Sequence, residues 1–187
     1  MPTLLNLKFQ RVAPATVRDI VSTWPAQSRH LAYELISTYQ MPHEATQHML
    51  IWYYNGAWKR TVLHRDGMPH NIPHIHTDVL EQTIDERVQT DTHSEIAKFD
   101  GSVIIDRTRG EITAYCESER ANMFLLNLAH DIIIGNKTAE EARSVLMQSS
   151  DFFHSMIPNQ YRESLLFSSP EDTNDPDIPQ GITGHQH

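Results

Sequence analysis

A chain of 187 residues with 39% hydrophobic and 21% charged residues is long enough for one folded domain with a hydrophobic core. Its net charge of -9 at pH 7 excludes a nonspecific nucleic-acid binder, because a phosphate backbone would be repelled. A single cysteine, Cys116, excludes an internal disulfide and suits a reducing compartment. No apolar run approaches the roughly 20 residues of a membrane span, so we expect a soluble cytoplasmic protein without membrane contact.

The first third of the chain predicts one strand, two helices and a hairpin. Residues 3–12 alternate loosely, as a strand does. Apolar residues at helical spacing predict a helix that opens at Pro14 and Thr16 and stops before Pro25, and a second helix over 28–40. In residues 47–65, an Asn-Gly pair separates two aromatic and β-branched runs. Both residues of that pair tolerate positive φ, which favours a tight hairpin.

The second half predicts a further hairpin and two helices. Residues 79–88 fit either a helix or a strand, and we favour the strand; a hairpin is predicted over 101–116. A helix apolar on nearly every side is predicted over 121–134, and Thr138 with Glu141 forms the capping box of the next helix. The pattern predicts an α+β fold, with an antiparallel sheet built from hairpins and helices packed on one face.

The composition changes near the end of the chain. Residues 168–187 are rich in Pro, Asp, Ser and Gly and have almost no apolar side chains, so they cannot offset the entropy of ordering. We therefore predict a single α+β domain over 1–167 and a flexible acidic and polar tail over 168–187.

Four histidines and an aspartate lie close together in the middle of the chain, namely His64, His70, His74, His76 and Asp78. In an extended segment, the spacing of His74 and His76 points both rings to one side, and Asp78 continues that side if residues 79–88 are a strand. If they are a helix, Asp78 becomes a cap instead. We predict His70, His74, His76 and Asp78 as metal ligands and place His64 on a strand face.

A metal in this chain would need His and carboxylate ligands, because there is only one cysteine. Two histidines and a carboxylate suit Zn(II), Fe(II) or Mn(II). Glu81 can reach the same place after a chain reversal, and we predict it to be catalytic. Histidines spaced by prolines are also common as plain surface residues, which is the structural alternative. No G-x-G-x-x-G, G-K-[ST] or G-x-S-x-G motif occurs, so neither a nucleotide cofactor nor a serine nucleophile is expected.

A second polar group interrupts the apolar helix over 121–134. Asn127, His130 and Asp131 stand at i, i+3 and i+4 and therefore occupy neighbouring positions on one face. One interpretation is a core network that satisfies buried polar groups. The other places His130 in the histidine-rich site as a catalytic general base.

Aromatic side chains surround the first predicted hairpin. Trp58 and Arg60 lie two apart in the return strand and would suit a planar or carboxylate-bearing ligand, with Asn127 as a further ligand-binding residue. Cross-strand packing of the aromatic residues is the structural alternative.

These patterns leave three hypotheses for function. The first is a small metal-dependent enzyme of hydrolase, lyase or oxygenase type that uses the site around residues 70–78. The second is a non-catalytic accessory protein that binds a small molecule in a pocket formed by Trp58, Arg60 and Asn127. The third is a structural or oligomerisation module, such as a homo-oligomer, in which the histidines serve only pH-sensitive packing.

Overall fold

The computed structural model describes residues 10–148, 160–170, 173 and 175–177. Most of the strand predicted over residues 3–12 lies outside this range. Six strands within it form one antiparallel sheet. They are β1 (Glu44–Ala45), β2 (Met49–Asn55), β3 (Trp58–His70), β4 (His76–Asp85), β5 (Val103–Asp106) and β6 (Glu111–Cys116). Their order across the sheet is β1-β2-β3-β4-β6-β5.

The helices of the described residues are α1 (Pro14–Ser22), α2 (Ala26–Tyr39), α3 (His93–Phe99), α4 (Glu119–Ile133), α5 (Ala139–Gln148) and α6 (Gln160–Glu163). The longest, α4, begins at the N-cap Ser118, whose hydroxyl accepts from the amide of Ala121 at 3.3 Å. None of the described helices is both long enough and apolar enough to cross a membrane. The predicted α+β class is confirmed.

The core lies on the face of the sheet that the helices cover. Leu50, Leu63, Leu80 and Cys116 face one another across β2, β3, β4 and β6, and all four are buried. Apolar residues of α1 and α2 pack with the first three, whereas those of α4 and α5 pack with Cys116 and its neighbours. Successive side chains along each strand therefore point alternately to this apolar face and to the other face, which carries polar residues.

Both predicted hairpins are present, although the first turn is displaced by one residue. Asn55 pairs with Trp58, so the two-residue turn consists of Gly56 and Ala57, and Gly56 takes the positive φ of 62°. Residues 79–88 largely belong to β4, which confirms the strand preference.

The predicted buried helix and capping box are also confirmed. The Thr138 amide donates to Glu141 Oε2 at 2.8 Å, and the Glu141 amide donates to Thr138 Oγ1 at 3.1 Å. This reciprocal pair satisfies two amides at the start of α5 that have no partner within the helix.

Some residues of the predicted tail contact the domain. Thr173 is buried and its hydroxyl donates to Asp85 Oδ1 at 3.4 Å. Arg107 forms two hydrogen bonds with the carboxylate of Asp177, at 2.8 and 2.5 Å. The prediction of a flexible tail otherwise falls largely on residues outside the described part of the chain.

Candidate functional site

The pairing of β3 with β4 creates a cluster of possible metal ligands. His70 lies directly opposite His76, and Asp78 is two residues further along β4, on the same side of the strand as His76. One donor atom from each of these three residues lies within 4.8 Å of the other two. We call His70, His76 and Asp78 the triad.

His76 has a defined tautomer. Its Nδ1 lies 2.8 Å from the carbonyl oxygen of His74, and because a carbonyl can only accept, the proton of neutral His76 lies on Nδ1. Nε2, on the side of the ring away from the His74 carbonyl, therefore carries the lone pair. A histidine that donates one N–H to a backbone carbonyl has the orientation and basicity typical of a metal ligand.

Asp78 is buried, and only one of its two carboxylate oxygens accepts a hydrogen bond from a described residue. Its Oδ2 accepts from Ser102 Oγ at 2.8 Å and lies 3.3 Å from His70 Nδ1. Its Oδ1 lies 2.9 Å from His76 Nε2 but outside hydrogen-bond geometry, and no described residue donates to it. Both side chains are only 3% exposed. Buried carboxylate oxygens are normally paired, so this oxygen requires a partner.

A second buried carboxylate, Asp100, stands next to the triad. Its Oδ1 accepts from the amide of Ser102 at 2.7 Å and lies 3.8 Å from His70 Nε2, while no described residue donates to its Oδ2. Burial raises the pKa of the Asp100 carboxyl, and the neighbouring Asp78 adds to the rise. The Ser102 amide and His70 oppose it.

Cys116 borders the triad from β6. Its Sγ lies 3.4 Å from His76 Nε2. Burial raises the pKa of the Cys116 thiol, and the Asp78 charge raises it further, so the sulfur is a protonated thiol near neutral pH. A thiol is a weak donor, and it faces the lone pair of Nε2.

A cavity of about 270 Å³ lies beside the triad. His70, His76 and Asp100 contribute to its wall from the sheet side, and Cys116 lies in the wall as well. The remaining wall is formed by residues that include Ile72, Glu117, Arg120, Phe124, Leu125, Leu146 and Arg162. His70 and His76 are thus accessible to a small molecule in the cavity, whereas Asp78 lies behind them and is buried.

Two predicted site residues from the same stretch do not join the triad. His74 lines the cavity, with its Nε2 3.7 Å from Glu117 Oε1, but its ring nitrogens are not among the converging donor atoms. Glu81 lies on the opposite side of β4, where its Oε2 is 3.1 Å from Nε2 of His64. A strand alternates its side chains, so residues 78 and 81 face opposite ways.

The predicted polar face of α4 lies elsewhere. Asn127 donates to the carbonyls of Tyr161 and Ser164, at 3.0 and 2.8 Å, and accepts from the amide of Leu166 at 2.8 Å. Asp131 contacts Lys137 Nζ at 2.8 Å. The bonds of Asn127 anchor α6 and the residues after it to α4.

His130 lies at the other end of β4 from His76. Its ring stacks on Phe167 with centroids 3.8 Å apart, and its Nδ1 is 4.0 Å from Glu86 Oε1. Glu86 follows β4, and ten residues of strand separate His76 from it by roughly 30 Å. The structure therefore does not bring His130 to the triad.

The predicted ligand-binding residues have separate partners. Trp58 is buried and donates from Nε1 to Glu119 Oε1 at 2.5 Å. Arg60 points to the polar side of the sheet, where it contacts Glu111 Oε2 at 3.2 Å. Asn127, as described, holds the segment after α6. The structure gives these three side chains no common contact.

Several residues of this site were not predicted from the sequence. Asp100 and Ser102 come from the turn before β5 and Cys116 from the end of β6, and Arg120 and Arg162 come from helices. The only local signal was the Asp-Gly turn at Asp100, which indicates a turn and not a site. The chain matches no protein-family model, no curated protein and no solved structure.

Proposed function

We propose that the protein is a metal-dependent enzyme in which the triad of His70, His76 and Asp78 holds a divalent cation beside a cavity that receives the substrate. The proposal rests first on the buried contact between His76 Nε2 and Asp78 Oδ1, which are 2.9 Å apart. Both atoms bear lone pairs, and no N–H points from one to the other. Two such atoms repel each other unless a proton or a metal ion lies between them. The contact lies outside hydrogen-bond geometry, which favours the metal ion.

The composition of the triad supports a catalytic metal and not a purely structural one. Two imidazoles and one carboxylate leave coordination positions for water or substrate, whereas structural zinc sites are closed by four protein ligands. A cation held there would polarise a substrate oxygen or lower the pKa of a bound water. Zn(II), Fe(II) and Mn(II) are all compatible with these donors.

Asp100 supports a catalytic role for the same cavity. It lines the cavity, and its Oδ2 accepts no hydrogen bond from the described residues. A buried carboxylate next to a metal site is suited to accept a proton from a water or a substrate. The triad and Asp100 together supply a site for the cation and a general base.

The test uses protein purified without a histidine tag, loaded separately with zinc, iron(II) and manganese, and dialysed. Elemental analysis is expected to find one equivalent of one of these metals in the wild type and much less in Asp78→Asn. Asp66→Asn, which changes an exposed aspartate of β3, is the matched control and should bind like the wild type. Hydrolysis of para-nitrophenyl acetate and para-nitrophenyl phosphate, with and without the metal, gives a first readout of activity.

A wild-type protein that retains none of the three metals would contradict the proposal. Equal metal content in Asp78→Asn and the wild type would also contradict it, because the ion would then be bound elsewhere.

A further inference from the structure

One side of the cavity beside the triad is formed by a short segment that includes α6. Arg162 of α6 lines the cavity, and its Cζ lies 5.0 Å from the centroid of the Phe124 ring, which also lines it. Tyr161, the preceding residue, meets the same ring edge-on, with centroids 6.4 Å apart. We call residues 160–167 the strap. The strap thus covers Phe124 and forms one side of the cavity.

The strap packs on the domain without burying its own residues. All eight of its residues are exposed or half-buried, including the three hydrophobic side chains that contact the core, Tyr161, Leu165 and Phe167. Phe124, which lies beneath the strap, is buried. Segments that bury little apolar surface open at a lower free energy than the core does. The strap is therefore suited to detach while the sheet and α4 stay folded.

Contacts with one side of α4 hold the strap in place. The Asn127 side chain makes three hydrogen bonds with backbone groups of the strap. The Tyr161 hydroxyl donates to Asp131 Oδ2 at 3.0 Å. Phe167 stacks on the His130 ring. Water replaces hydrogen bonds of this kind when a segment detaches, because groups such as the Asn127 amide then become exposed. Detachment of the strap therefore leaves no polar group of this latch buried without a partner.

We propose that the strap is a movable wall of the cavity, which detaches from α4 to admit a molecule and closes over it afterwards. Because it describes how access to the triad is controlled, this inference rests on the proposed function. The strap reaches the cavity through Arg162, while His70 and His76 line it from the sheet side. Closure over a bound molecule excludes water and holds the molecule beside fixed groups, as such segments do in enzymes.

The test measures how fast two maleimides modify Cys116 in the full chain without added metal, followed by mass spectrometry. Cys116 is the single cysteine of the chain and lies in the wall of the cavity, so its modification reports access to that cavity. N-Methylmaleimide is much smaller than a cavity of about 270 Å³, whereas N-(1-pyrenyl)maleimide needs a wider entrance. Both add the thiol to the same double bond, so the ratio of their rates reports the size of the entrance.

Two variants loosen the strap. Asn127→Ala removes its three hydrogen bonds to α4, and Phe167→Ala removes its stacking on His130. We expect the rate with the pyrenyl reagent to rise by about tenfold or more in Asn127→Ala and in the same direction in Phe167→Ala. The rate with the methyl reagent should change much less. Val21→Ala weakens the core of α1 and α2 away from the cavity, so it is the matched control for a general loss of stability. It should keep both rates near those of the wild type.

The inference is overturned if both reagents modify the wild type equally fast, or if Asn127→Ala and Phe167→Ala keep the wild-type rates. It is also overturned if Val21→Ala raises the pyrenyl rate as much as they do. Phe167 belongs to the strap and is only half-buried, so its variant is expected to fold even if Asn127→Ala does not. None of these rates requires a metal. Access controlled by the strap in a protein that takes up no metal would refute the enzyme proposal alone. Metal uptake with unchanged rates in the two variants would refute the movable strap alone.

Discussion

Two histidines of this chain show how local contacts decide what an imidazole can do. His76 donates from Nδ1 to the His74 carbonyl, so its Nε2 carries the lone pair of the neutral ring and lies 2.9 Å from Asp78 Oδ1. His130 has no described hydrogen-bond partner at its buried Nδ1 and stacks instead on Phe167. The first environment is suited to hold a cation, whereas the second disfavours a charge on the ring.

The surroundings of His130 predict a loss of stability in acid. Burial lowers the pKa of the His130 imidazole below its ordinary value of 6.5, although Asp131 opposes this. Below that value the unfolded chain takes up a proton that the folded chain resists, so the free energy of unfolding falls as the pH falls. Glu86, whose Oε1 lies 4.0 Å from His130 Nδ1, has a pKa raised by burial, so it is more readily neutralised as the pH falls.

We expect His130→Gln to lose less stability than the wild type between about pH 7 and pH 5, the range in which histidine titrates. Urea denaturation at several pH values measures this difference. His48→Gln, which changes an exposed histidine, should follow the wild-type profile. A His130→Gln profile parallel to that of the wild type would show that the burial of His130 does not contribute to the acid sensitivity.

At the scale of the elements, the position of the triad depends on an irregular strand. β3 pairs regularly with β4 up to Leu63, and the register shifts before pairing resumes at Met68. Gly67 lies within the irregular part, against Asp78. A bulge of this kind changes the direction of a strand, and here it precedes the point where His70 meets His76.

Replacement of Gly67 by alanine should disturb both the sheet and the triad. A Cβ added at Gly67 would lie 2.3 Å from the carbonyl oxygen of Asp78 and 2.6 Å from Thr77 Cγ2, so β3 and β4 would have to separate. We expect Gly67→Ala to lower the free energy of unfolding by about 1–3 kcal/mol, as overpacking does, and to weaken metal binding.

The matched control for this substitution is Gly101→Ala, because a Cβ at Gly101 would have no neighbour within 4 Å. Urea denaturation measures both variants. If Gly67→Ala is as stable as Gly101→Ala, the close approach of Gly67 to Asp78 is not a constraint on the fold.

The sequence predicted the helices and strands better than it predicted the register in which the strands pair. Capping residues, an Asn-Gly pair and apolar periodicity are local signals, and they correctly predicted both hairpins, α4 and α5. β3 continues to His70, beyond residue 65, where the predicted hairpin ends, although this stretch contains Gly67 and Pro69. Tertiary pairing with β4 overrides that local preference.

Only those site residues that lie close together in the sequence could be predicted from it. His76 and Asp78 follow from their spacing on a strand, and His70 was included as a candidate. That His70 and not His74 meets His76 depends on the shifted register between β3 and β4. Asp100 reaches the site from the turn before β5 and Cys116 from β6, and contacts between residues distant in sequence leave no local pattern.

At the scale of the whole molecule, the cavity lies where the sheet and the helical layer meet. The triad and Cys116 come from neighbouring strands, whereas Phe124 and Arg162 come from helices on the covered face. Residues on strands and helices are held more precisely than residues on loops, which suits a site that must present fixed ligands. His130, near the other end of β4, stacks on Phe167 after α6 and is not part of the wall of this cavity.

The central claim is that His70 and His76, and not His74, bind the cation. Competition with a chromophoric chelator measures the zinc affinity of the wild type, His70→Ala, His76→Ala and His74→Ala. We expect His70→Ala and His76→Ala to lower the zinc affinity by more than the roughly 10–100-fold that is lost when a residue bonded to a metal ligand is removed. His74→Ala keeps the backbone carbonyl that orients His76 and should stay within a few-fold of the wild type. A loss in His74→Ala as large as in His76→Ala, or no zinc binding by the wild type, would contradict the assignment of the triad.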